Sequence, residues 1–244
     1  MPNAVDRVSS AIEAIACAGE ASAAELAAEL GISRQAVGRL LDDMMASGLV
    51  VRGDDHRRYA LSLRVFSWGS LAVERHLPSA TTRMEIARLA ANIPHSVLYT
   101  IRGGASVFTI ERTHSQGGLV VTNPTGGTNH WSNATTGRIL VAFAPAEERE
   151  ALLARERMSE SALSDLKADL ELISRQGFAE RHTTAIRYTM AAPVFDELGY
   201  AVAALAIVVA NFDESEREGL ISALKETAAR CAANLSANLM LAAP

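Results

Sequence analysis

Apolar residues return every three to four positions at Val5, Val8, Ile12 and Ile15, which predicts an opening amphipathic helix that Gly19 stops. Ser22 followed by Glu25 is a capping-box spacing, and Leu26 and Leu30 give the short helix behind it an apolar face that ends at Gly31. Ser33 is the N-cap candidate of a third helix, whose Val37, Leu40, Leu41 and Met44 share one side before Gly48. Two β-prone runs, Leu49 to Val51 and Arg58 to Leu61, flank Gly53, Asp54 and Asp55, residues suited to a tight hairpin turn. A further helical run from Leu63 to His76 is stopped by Pro78, because proline disfavours helix in the residue before it.

The pattern then changes. Thr82 and Glu85 form a second capping-box spacing ahead of Ile86, Leu89 and Ile93. Strand-like runs Val97 to Arg102 and Ala105 to Thr113 flank Gly103 and Gly104, and Leu119 to Thr122 reads as a third strand before a loop from Asn123 to Thr136. Helices follow over Gly137 to Phe143, Ala146 to Ala154, and a longer stretch marked by Leu163, Leu166, Leu170 and Ile173 that Gly177 ends. Strands Thr189 to Phe195 and Tyr200 to Val209 lead to a closing helix from near Glu214. The expected architecture is α+β: a winged helix-turn-helix over 1–62, a linker helix over 63–78 and an α/β domain over 79–244.

Composition narrows the function classes. With 49% hydrophobic and 21% charged residues, the 244-residue chain can build sizeable cores. The net charge of −5 argues against wholesale polyanion binding, yet DNA recognition needs only a local basic face. Residues 1–62 carry six arginines against nine acids, so any such face is confined to part of them. Two cysteines, Cys17 and Cys231, give neither a disulfide framework nor a paired-thiolate zinc motif and point to a reducing cytoplasm. The N-terminus lacks a signal-peptide pattern, and the richest apolar run, Tyr200 to Ala210, falls short of the roughly 18 residues that span a bilayer, so no membrane partner is expected.

The chemistry-bearing pattern is the second and third helices with the hairpin. Ser33, Arg34, Gln35 and Arg39 are predicted to point outward from the third helix, where arginine can pair with guanine and glutamine with adenine in the major groove. Arg52, Arg57 and Arg58 fall on the hairpin, the place of a wing that meets phosphates. The same elements also fit a bundle used only for assembly, beside a small-molecule-binding module or a hydrolase-like enzyme. No Gly-x-Ser-x-Gly elbow and no phosphate loop supports an enzyme. The six histidines lack the i, i+4 helical spacing of a zinc motif, although His114, His130 and His182 are far enough apart to meet only in the fold. The expectation is no catalytic residue, no metal and no cofactor.

Several runs resemble the IclR family of bacterial transcription regulators: Gly31-Ile32-Ser33-Arg34-Gln35-Ala36-Val37-Gly38-Arg39-Leu40-Leu41, the wing end Arg58-Tyr59-Ala60-Leu61, Ser132-Asn133-Ala134-Thr135-Thr136-Gly137-Arg138, Arg175-Gln176-Gly177-Phe178 and Ala191-Ala192-Pro193-Val194-Phe195-Asp196. The resemblance covers nearly the whole chain. It implies a GAF-like ligand-sensing domain, and homodimers or dimers of dimers on a palindromic double-stranded DNA operator. It also implies an effector pocket at Thr135, Thr136, Ala179, Thr189, Ala206 and Val208. Where members that sense small oxo-acids tend to carry Asp, Cys and two Ser, this chain has Ala179, Thr189, Ala206 and Val208, a lining with little hydrogen-bonding capacity. An apolar lining favours an aromatic or bulky organic effector, with Tyr99, Phe108, Trp131 and Tyr188 as candidate walls and Arg187 as a candidate carboxylate partner.

Overall fold

A computed structural model describes residues 3–74, 76–113, 127–184, 187–210 and 212–241. The chain forms two compact units, Met1–Arg75 and His76–Pro244.

In the first unit, α1 (Ala4–Ala18) starts at a capping box of Asn3 and Asp6, and its buried stripe is Ala11 and Ile15 with Val8 and Ile12 beside them. Val5, expected in that stripe, is instead exposed, because the helix entrance projects beyond the core. A three-residue strand that the hydrophobic pattern did not predict, β1 (Glu20–Ser22), precedes α2 (Ala23–Leu30). The Ser22–Glu25 box forms in both directions, and Gly31 takes the left-handed conformation that closes α2. Next come α3 (Arg34–Ala46), β2 (Val50–Arg52), β3 (Arg58–Leu61) and α4 (Leu63–Glu74). The strands pair antiparallel in the order β1-β3-β2 and cover a core built on Leu26, Val37, Leu41, Met44, Val50 and Tyr59.

The hairpin turn solves its geometry differently from the expectation. The left-handed residue is His56, at φ 56°, and not Gly53. A Cβ at Gly53 would lie 2.6 Å from Glu20 Oε1, the mobile end of a part-exposed side chain that would have to swing aside. Helix α4 is fastened to the end of α3, where Arg64 Nη1 donates to Ser47 O at 2.8 Å, Ser62 Oγ bonds Gly48 O, and the Arg64 guanidinium lies over the Trp68 ring.

The second unit runs α5 (Ala80–Asn92), β4 (Ser96–Gly103), β5 (Ser106–Arg112), β6 (Thr128–His130), α6 (Thr135–Ala142), α7 (Ala146–Leu153), α8 (Glu160–Gln176), β7 (Ala179–Thr184), β8 (Arg187–Phe195), β9 (Ala201–Ala210) and α9 (Arg217–Leu241). Its antiparallel sheet has the order β6-β5-β4-β9-β8-β7, with α6 and α8 packing on one face and α5 and α9 on the other. Pro193, which cannot donate to a ladder, lies past the point where β7 begins at Ala179 opposite Ala191, so β8 is an edge there.

Two local expectations change. The α5 N-cap is Ser79, whose Oγ accepts from Thr82 N at 3.1 Å, so Thr82 is the third residue of the helix and not its cap. Glu85 is thereby released to pair with Arg88 and Arg230. Part of the expected loop is the edge strand β6, while Leu119 to Thr122, His114, Gly126 and Ile186 lie outside the described residues. Among the described residues no helix is long and apolar enough to cross a membrane.

Candidate functional site

The candidate reading surface in the first unit lies on α3. Ser33 Oγ accepts from Ala36 N at 3.2 Å, so this hydroxyl caps the helix and starts it sharply. Arg34, Gln35 and Arg39 are exposed, and no hydrogen bond or ion pair holds their side chains among the described residues. Asp42 and Asp43 follow on the same helix and are also exposed, which confines its free positive charge to the first two turns.

The three wing arginines behave differently. Arg52 Nη1 donates to His56 O at 2.8 Å and its guanidinium stacks 5.0 Å from the Tyr59 centroid, so it shapes the turn. Arg57 is exposed and its side chain is unengaged; its backbone N–H and that of Arg58 donate to Asp55 Oδ1, and these bonds hold the Asp55 carboxyl below its usual range. Arg58, expected to face outward, is turned inward. It donates to Glu20 O at 2.8 Å and approaches Glu25 Oε2 at 3.0 Å, clamping β3 to β1 and α2. The Ser22 amide first, and Arg58 with it, lowers the Glu25 pKa. A carboxylate three residues after Ser22 serves the capping box and the clamp at once.

In the second unit, strand register sorts the candidate effector residues by face. Directly paired residues share a side, so Arg181, Thr189, Val208 and Ser96 form one row across β7, β8, β9 and β4, and Ala179, Ala191, Ala206 and Leu98 form the next. This face meets α6, whose first residues, Thr135 and Thr136, are buried, as is Trp131 just before it. Arg187 lies on the same face one row beyond Thr189.

Tyr99, Phe108 and Tyr188 are corrections. They follow the opposite alternation and lie on the α5/α9 face: Tyr188 stacks on Phe212 at 4.0 Å beside the Glu180–Arg217 pair, and Tyr99 sits near Cys231 of α9. Tyr188 and Thr189 are neighbours in one strand and so cannot share a side.

The start of α6 is locked in place. Gly137 is buried where a Cβ would lie 2.3 Å from Trp131 O, and Trp131 N donates to Ala105 O. Arg138 Nε donates to Ser132 O while its Nη1 pairs with Asp169 at 2.6 Å, and Ser132 Oγ reaches Glu156. The α6 N-cap is Ala134, which has no side chain to accept from the first-turn N–H groups. His130 joins Ser132 and Glu156, whereas His182 packs edge-on against Tyr188; among the described residues no three His, Cys, Asp or Glu side chains converge as a metal site.

Residues 72–236 match the family model for the C-terminal region of bacterial transcriptional regulator IclR. The chain belongs to the IclR family. The helix-turn-helix residues 6–58 match a MarR family model. This IclR-family chain is 23% identical to the HTH-type transcriptional regulator KdgR of Dickeya chrysanthemi, over 93% of the chain and 78% of that relative. It is 25% identical to KdgR of Escherichia coli K12, over 96% and 92%. Its fold matches the crystal structure of an IclR homologue from Microbacterium hydrocarbonoxydans complexed with 4-hydroxybenzoate, at TM-score 0.74 and 19% identity over 96% of this chain and 100% of that one. The IclR-family chain is thus a DNA-binding transcriptional regulator with a ligand-binding C-terminal domain, and not an enzyme.

One residue of the α6-facing side of the sheet, Arg181, escaped the sequence reading. Its signal was its place two residues after Ala179 on the same strand face, and it became legible only once the β7–β8 register was known.

Proposed function

We propose that this regulator works in the cytoplasm as a homodimer, or a dimer of such dimers, on a palindromic operator. In each half-site α3 enters the major groove, with Arg34, Gln35 and Arg39 meeting base edges and Arg57 meeting phosphate. The observation that carries the reading is the division of labour among the arginines: those at the start of α3 and at Arg57 are free, while Arg58 is committed to Glu20 and Glu25. Helix α4 is the subunit contact, since Leu63, Phe66, Trp68 and Leu71 are 50–84% exposed and α4 buries no residue of its own.

The effector lies between the start of α6 and the sheet face of Ala179, Thr189, Ala206 and Val208, with Thr135, Thr136 and Trp131 along its edge. The small, apolar floor favours a ligand with an apolar body, and 4-hydroxybenzoate in a fold relative supports an aromatic one serving a catabolic operon. The ligand acts by binding one dimer arrangement more tightly than another.

Fluorescence anisotropy with operator and scrambled duplexes over a salt series tests the DNA half. Arg57→Ala lowers the slope of log K against log salt by about 0.9 without changing sequence preference. Arg34→Ala or Arg39→Ala lowers operator preference about 10- to 100-fold, and Arg58→Ala affects stability before slope. Absence of duplex binding at low salt refutes the reading.

A further inference from the structure

The first unit holds a cleft of about 740 Å³ between α1 and α2. Its apolar lining is Ala14, Ala18 and Ala21 on the α1 and β1 side, and Leu26, Leu30 and Ile32 on α2 and the turn after it. The alanines carry only a methyl group each, so the two helices meet without filling the space between them. Small-molecule sites enclose roughly 300–1,000 Å³ and are mostly apolar with a few polar groups, and this cleft has that size and that make-up. Ile32 is next to Ser33, the cap of α3, so an occupant touches the residue that leads into that helix.

Arg7 lines the same cleft. It is partly buried, its Nε is sealed from water without an acceptor, and its side chain forms no hydrogen bond or ion pair among the described residues. The other cation of the lining, Arg58, is matched by Glu25 at 3.0 Å. A guanidinium N–H only donates, so the sealed Nε calls for an acceptor atom. The charge of that acceptor follows from the rest of the lining, where Glu13, Glu25 and Glu29 outnumber Arg7 and Arg58. Surplus negative charge disfavours an anion, and an ammonium, which has no acceptor, would leave Arg7 unsatisfied. An uncharged carbonyl meets both conditions. Arg7 and Cys17 both line the cleft and lie on α1 about 15 Å apart along its axis at 1.5 Å per residue, so its occupant is elongated.

We propose that this cleft is a small-molecule site in the reading head itself, for an uncharged, elongated apolar molecule whose carbonyl oxygen accepts from Arg7 and whose body lies along the alanine and leucine lining toward Cys17. It is separate from the effector face of the second unit and does not depend on it.

Cys17 reports occupancy, because its exposed thiol lines the cleft. Alkylation of the full chain by iodoacetamide, followed by mass spectrometry, is measured with decanamide, decanoate and decylamine, each below its micelle concentration. At ten times its Kd, decanamide slows Cys17 modification about 10-fold, since only the empty cleft presents the thiol. It binds about 10-fold more tightly than decylamine, the ratio expected of one hydrogen bond to a charged donor, and more tightly than decanoate. Arg7→Met removes the preference over decylamine. Ala18→Leu, at an exposed position, fills the cleft and abolishes the effect of decanamide without lowering the melting temperature. Cys17 modification that none of the three probes slows, or protection that survives Ala18→Leu, overturns the site. Wild type that prefers decylamine or decanoate overturns the assigned ligand class. Modification that slows when protein concentration alone is raised overturns the site as well, because the cleft is then an interface between copies of this chain. None of these results bears on the effector face.

Discussion

Replacing Gly137 by alanine should destabilise the protein, against the ordinary rule for a glycine inside a helix. Glycine to alanine in a helix interior normally gains about 0.5–1 kcal/mol. At Gly137, however, the new Cβ would lie 2.3 Å from Trp131 O, 2.6 Å from Trp131 Cα and 2.8 Å from Trp131 C. Real Cβ contacts do not fall under 3.0 Å, so backbone must move by at least the 0.7 Å between 2.3 and 3.0 Å. Nothing flexible can absorb the shift: Trp131 is held by Ala105 O, Ser132 by Arg138, and the indole is fully buried. Overpacking of this kind costs about 3 kcal/mol, the top of its usual range, and the helix gain offsets about 1. The net is about 2 kcal/mol, or a melting-temperature drop of roughly 4–8 °C for a unit of this size. Gly219 of α9, with negative φ and nothing within 4 Å of its Cβ position, is the control, and Gly219→Ala should raise the melting temperature slightly. Differential scanning calorimetry of both variants decides. A Gly137→Ala protein as stable as wild type would show that the α6 start is not locked against Trp131.

The two thiols should differ. Cys17 is exposed, whereas burial, and after it Glu85, pushes the Cys231 thiol up to about 11, so one equivalent of a thiol reagent should react at pH 8 and the second only on unfolding. Burial also raises the Tyr99 and Tyr188 phenols to about 12, with the Glu180 carboxylate adding to Tyr188. The unfolded chain ionises these phenols near 10, so it loses their protons first and stability should fall as pH rises from about 10 to 12. Tyrosinate absorbance should show the two phenols titrating late in the folded protein and with the others in denaturant.

How far the sequence was legible depended on the distance over which each feature is decided. The Ser22–Glu25 cap, the Ser33 cap and the Gly177 stop are decided within a turn of helix, and they form as the spacing implies. Thr82–Glu85 has the same spacing, but Ser79, placed just after Pro78, captures the Thr82 amide first. Strand β1 has only three residues and exists because β3, some 38 positions on, offers it a ladder. The effector face was half legible. Period-two alternation separates Tyr188 from Thr189 without any structure, but the register slip between Tyr99 and Thr100 and the β7–β8 pairing that brings Arg181 beside Thr189 are set by partners remote in the chain. Arg58 could not be told from Arg57 by type or position, because its fate is decided by Glu20 and Glu25 across the fold.

The fastening of α4 to the end of α3 bears on how this regulator can be re-engineered. Arg64, Ser62 and Trp68 make the first turns of α4 mechanically part of the reading head. A chimera that splices this head onto another sensor at residue 62 would therefore lose the brace behind the recognition helix and read its operator poorly. A junction placed after Glu74 carries the brace along, and should transplant operator choice intact.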